Sequence, residues 1–172
     1  MGDELQENLL SGVQRLIPLL SSLFLILISY IPLNIGYFNN IRPMIGIVCI
    51  YYWIINRPDI FNLLSVFVLA IINDIISSAP FGANLLCFLV MYILASNIQR
   101  LIFGKPFSID WYAFMALTLA VFFFKWLIVS VYYRQAMPVV ILFFSYGITV
   151  AIYPFISFIF AFIQNNLLSD EG

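Results

Sequence analysis

The chain has 172 residues, of which 64% are hydrophobic, 18% aromatic and 9% charged. A soluble domain of this length has too little interior to hide so much apolar surface, whereas a bilayer demands only that the backbone be satisfied, so the composition excludes a soluble fold and gives an integral membrane protein. A net charge of −1 without a basic tract excludes a nucleic-acid partner, and the absence of histidine removes His-based acid–base chemistry and His-ligated metal sites.

The apolar stretches run past the ten or so residues of a barrel strand and lack its alternation, so they read as helices. The start, "MGDELQENLLSGVQR", is acidic where a cleavable signal would be basic, and is kept as part of the chain. Within it Leu5, Leu9, Leu10 and Val13 fall at helical spacing and predict a short interfacial helix, though without the lysines that hold such helices to anionic lipid.

The first span reads 16–33, opening near Pro18 and broken by Pro32, Gly36 and paired asparagines. The second, 43–56, is short for a hydrocarbon core of ~30 Å, and is bracketed by Arg42 and Arg57, which reach outward to headgroups. Tyr51, Tyr52 and Trp53 then fall at one interface as an aromatic belt. Next comes Arg57-Pro58-Asp59. Pro58 pushes Arg57 out of the helical region and suits the first turn of a new helix, whose positive end favours Asp59. These three residues read as a surface turn and also as a candidate contact site.

The third span is 60–77, closed by "SSAPFGAN", a tight turn built on Pro80 and Gly82. The fourth is 83–98, and a polar loop, "QRLIFGKPFSID", leads to the fifth, 111–133. "RQAMP" precedes the sixth, 139–163. The expected architecture is therefore an all-α, compact bundle of six transmembrane helices forming a single domain over 1–172. Six spans put both termini on one side, with Arg15, Arg57, Arg100 and Lys105 there against Arg42 and Arg134 opposite, which assigns the termini to the cytoplasm. Cys49 and Cys87 lie in apolar runs and read as small packing residues, with no disulfide framework.

Two charges inside spans need a reason, because each costs roughly 2.5–3.5 kcal/mol at a helix centre. Asp74 stands fifteen positions beyond Asp59, and Lys125 fifteen beyond Asp110, which puts each ~22 Å along its helix from a surface residue and at one level. Either they face each other and neutralise, or each reaches the outer headgroups separately. A catalytic reading is poor: Asp59 and Asp74 lie at different depths, unlike the paired acids of an intramembrane protease, and Ser65, Ser77 and Ser130 have neither a histidine nor a nucleophile elbow. No enzyme, cofactor or metal is expected.

"YYWIINRPD", then an acid-bearing helix with "IINDII", then "SSAPFGAN", resembles the MreD family of bacterial rod shape-determining inner-membrane proteins. The likeness is carried by residues 44–100, above all by the spacing of Arg57-Pro58-Asp59 to Asp74 and to Pro80-Phe81-Gly82. Ala70 stands where a glycine is the family's small residue, and Phe81 where leucine is; Ala70 still permits close helix packing. The resemblance implies a noncatalytic member of the cell-elongation and peptidoglycan-synthesis machinery. Its partners would be a single-span MreC-type protein and, indirectly, the MreB filament and the peptidoglycan polymerase and transpeptidase, with a second copy of the chain a further candidate. It also implies a likeness to the S-component folds of energy-coupling-factor transporters, which makes a vitamin-binding transporter subunit the alternative function. Arg57, Pro58, Asp59, Asp74, Pro80, Gly82 and Lys125 are the structural or partner-contact candidates.

Overall fold

The computed structural model describes residues 2–30, 43–77, 80–136 and 138–167, the side chains of 2–15 and 167 excepted. Among the described residues there are six helices: α1 (Gly2–Ser29), α2 (Ile45–Asn56), α3 (Leu63–Ile76), α4 (Ala83–Ile102), α5 (Phe107–Tyr133) and α6 (Val139–Leu167). No strand occurs among the described residues. α4, α5 and α6 are long and apolar enough to cross a membrane, and Leu16–Ser29, Ile45–Asn56 and Leu63–Ile76 are shorter apolar helical stretches.

α2 is the axis. All of its residues from Gly46 to Ile55 are buried, because the helix is apolar on every side, which is the signature of an element surrounded by protein. It packs against α1, α3, α4 and α6, while α1–α3, α3–α4, α4–α5 and α5–α6 are neighbours around it. The core accordingly centres on α2, with Val66 and Leu69 of α3, Cys87, Phe88 and Met91 of α4, Phe114 and Val121 of α5 and Tyr153 and Phe160 of α6. Cys49 and Cys87 are both free and buried in it.

Two features of α6 and α2 show how sequence sets the packing. Pro154 lies inside α6, and having no N–H it frees the carbonyl of Val150 four residues back. The indole Nε1 of Trp111 on α5 donates to that oxygen at 3.3 Å, so the helix defect becomes an α5–α6 contact. At the start of α2, a Cβ added to Gly46 would lie 2.1 Å from Cζ of Phe88. The glycine is what lets α2 and α4 approach this closely.

Several boundaries differ from those expected. α1 runs without interruption from Gly2 through Pro18, so residues 5–13 are the first half of a long helix and not a separate interfacial one. The expected end at Pro32 and Leu33 lies outside the described residues, as does Arg42. α3 begins at Leu63 and not at Ile60: Asn62 is its cap, accepting from the Ser65 amide at 3.1 Å. A side-chain cap outcompetes a first-turn proline here because it satisfies an amide that the proline leaves open. α4 continues to Ile102 and α5 starts at Phe107, which leaves only a short link where a longer polar loop was expected.

The aromatic belt is also corrected. Tyr51 and Trp53 are fully buried and Tyr52 nearly so; the three rings pack inward among Phe114, Tyr153 and Phe160. An interfacial anchor keeps its polar tip in water, whereas Trp53 Nε1 is buried with no hydrogen-bond partner.

Candidate functional site

The start of α4 is a helix terminus without a side-chain cap of its own, since the cap position is Gly82. Pro80 to Ala83 form a tight turn, closed by the Ala83 amide donating to the Pro80 carbonyl at 3.0 Å. Gly82 adopts φ 92°, ψ −15°, the left-handed corner that such a turn requires at its third residue and that a Cβ disfavours. Its backbone therefore suits the turn but offers the helix no acceptor.

Asp74, two residues from the end of α3, supplies one. Its Oδ2 accepts from the amides of Gly82 at 3.0 Å and Leu85 at 3.1 Å, and its Oδ1 from the amide of Asn84 at 3.1 Å. With Ala83 bonded to Pro80, all four amides from Gly82 to Leu85 are satisfied, and the Leu86 amide begins the regular ladder on the Gly82 carbonyl at 3.0 Å. Asp74 is 4% exposed. Three amide donors and the positive end of a helix replace the hydration that this burial removes.

Asn84 ties this cap to Lys125, the other charge set within an apolar run. Its backbone serves Asp74, its Nδ2 donates to Ser77 Oγ at 2.8 Å, and its Oδ1 accepts from Lys125 Nζ at 3.1 Å. Lys125 Nζ also lies 3.5 Å from Met44 Sδ at the start of α2. The two charges are therefore brought to one place, one of the two outcomes their equal depth left open, but they meet through Asn84 and form no direct ion pair.

The same end gathers the remaining helices. Tyr30, just past α1, donates to Asn73 Oδ1 at 3.0 Å, and the Met44 amide donates to Thr149 Oγ1 of α6 at 3.1 Å. Residues of all six helices or their immediate ends thus enter one polar knot. Asn84 was not singled out from the sequence; its signal was an amide side chain placed directly after a helix-opening turn at the head of an apolar run.

A second polar centre was missed. Asp110, in the first turn of α5, accepts from Tyr51 Oη of α2 at 2.8 Å and from Tyr153 Oη of α6. Tyr52 Oη donates to Gln164 Oε1 nearby in the fold at 3.2 Å. Sequence reasoning used Asp110 only as a surface marker and Tyr51 and Tyr52 only as interface residues, and made nothing of Tyr153, whereas together they pin α2 and the start of α5 to α6.

Arg57, Pro58 and Asp59 lie in the link between α2 and α3. The Arg57 amide closes α2 on the Trp53 carbonyl at 2.8 Å, and its carbonyl accepts from Phe61 at 3.1 Å. Arg57 leaves the helical region, at φ −141° and ψ 64°, as expected of a residue before proline. Pro58 and Asp59 are exposed, so the turn presents them at the surface, three or more residues ahead of α3 and not within its first turn.

No group of three or more acidic, cysteine or histidine side chains suited to a metal occurs among the described residues. The family model described as rod shape-determining protein MreD matches residues 11–170 of the 172-residue chain. No curated protein and no solved structure matches it.

Proposed function

We propose, from the premise that the chain belongs to the MreD family, that it is a noncatalytic membrane adaptor of the cell-elongation machinery, holding an MreC-type single-span partner in the inner membrane. The family match over nearly the whole chain carries the role in rod-shape determination. The adaptor reading is supported by where the polar groups are spent: Asp74, Asn84, Lys125, Asp110, Tyr51 and Tyr153 bond to one another or to backbone, so they stiffen the bundle instead of lining a reaction site.

In this reading all six helices cross the membrane and both termini face the cytoplasm, which puts the Asp110 end inside and the Asp74 end outside. The exposed Pro58 and Asp59 then form a cytoplasmic contact on a rigid turn, and recognition of the partner is helix to helix, by packing and a few polar groups. MreB and the peptidoglycan polymerase and transpeptidase are reached through that partner. The polar knot holds the helix faces in register for docking.

Depletion of the chain in its own cells tests this. Cells are expected to lose controlled width and round up while vitamin uptake stays unchanged. Normal shape with impaired uptake of one vitamin would instead assign the chain to an energy-coupling-factor-type transporter.

A further inference from the structure

The lipid-facing helices do not have one length. α3 has 14 residues, ~21 Å, whereas α5 has 27, ~40 Å, and α6 has 29, ~43 Å, against a hydrocarbon core of ~30 Å. Tilt removes the excess of a long helix, and a tilt within the usual range of up to ~40° brings α5 close to bilayer thickness. Tilt cannot lengthen α3; it shortens its reach further.

Nor is α3 shielded from lipid by the bundle. Leu63, Leu64, Phe67, Val68, Ile75 and Ile76 are exposed along its full length. Both ends of this face are polar or turned away. At one end Asn62 and Asp59 are exposed while Phe61 is buried, and at the other Ser77 follows Ile76 and joins the Asn84 hydrogen bond. Exposed Phe81 sits on the tight turn, where an aromatic ring suits the headgroup region. Lipid at its resting thickness would leave ~9 Å of hydrocarbon against these polar ends.

We propose that the outer face of α3 is a lipid-binding face that fits a locally thinned bilayer, with the adjoining phospholipids drawn to a hydrocarbon thickness of ~20 Å while those on α5 and α6 keep ~30 Å. The protein then stands on a step in membrane thickness and selects short or disordered acyl chains on one flank. This inference needs only that the chain lies in a bilayer, and it stands whether or not the adaptor reading does.

Paired spin labels test it on the full chain, reconstituted in dioleoylphosphatidylcholine. Nitroxides are placed through Leu64→Cys or Ile75→Cys on α3, and through Ala116→Cys or Leu127→Cys on α5, each pair eleven positions apart and all exposed. Cys49 and Cys87 are buried and stay unlabelled. The depth of each label below the nearer hydrocarbon edge follows from the ratio of oxygen to nickel-chelate accessibility.

The α3 depths are expected to sum to ~4 Å, against ~14 Å or more for α5, since the sum is the local thickness less ~16 Å of helix. Equal sums would overturn the proposal. So would loss of oxygen accessibility at both α3 labels, which would mean that a second copy covers the face. Leu63→Cys and Ile76→Cys read the same quantity should either α3 variant fail to fold.

Discussion

Replacing Asp74 with alanine is expected to destabilise the bundle by about 3–5 kcal/mol, the cost of breaking one side of a buried charged network. The substitution strips the amides of Gly82, Asn84 and Leu85 of their acceptor, and each buried amide left open costs about 1–3 kcal/mol before water or relaxation offsets it. It also leaves Lys125 with a buried charge and no anion nearby. Thermal unfolding in detergent should show a large drop for Asp74→Ala. Asn84→Ala should show a smaller one of about 1–2 kcal/mol, because its amide still reaches Asp74 while Lys125 and Ser77 lose a partner.

The same geometry predicts that exchanging the two charges fails. In the double variant Asp74→Lys, Lys125→Asp the residue at 74 presents donors to a row of donors, so stability is not restored as it would be for a simple ion pair. Lys125→Met in the Asp74→Ala background should instead recover part of the loss by removing the unpaired cation. A full rescue by the charge exchange would mean that attraction between the two side chains, and not capping of α4, is what Asp74 contributes.

Gly46→Ala is the second large effect. The added methyl would lie 2.1, 2.8 and 3.0 Å from three atoms of the Phe88 ring, and Phe88 is 1% exposed, so the ring must shift within the packed interior. Overpacking of this kind costs about 1–3 kcal/mol. Phe88→Leu in the same chain shortens the obstacle, and the double variant should melt closer to wild type than Gly46→Ala alone. If Gly46→Ala melts like wild type, α2 and α4 are not in the close contact described.

The six helices were legible because apolar runs are interrupted by Pro32, Pro58, Pro80 and Pro106 and by glycines, and local breaks need no knowledge of tertiary contacts. The turn of Pro80 and Gly82 was readable for the same reason. The shared depth of Asp74 and Lys125 followed from helical rise alone. What joins them did not: it depends on the rotation of α3, α4 and α5 about their axes, which an apolar run with little amphipathic contrast does not encode. The start of α3 was misplaced because Pro58 and Asn62 both suit a helix opening, and only the Asn62 bond to Ser65 distinguishes them. Tyr51 was misread because a belt tyrosine and a core tyrosine look alike until the partner of the hydroxyl is known, and that partner, Asp110, is fifty-nine positions away.

The most direct test of the adaptor reading is to co-express the chain with the MreC-type protein of the same cells, purify through a tag on one of them, and weigh the product by native mass spectrometry. A defined heteromeric complex with no metabolite mass is the predicted result, and Pro58 and Asp59 are then the first surface residues to vary. A lone chain that carries a small molecule through purification would contradict the account.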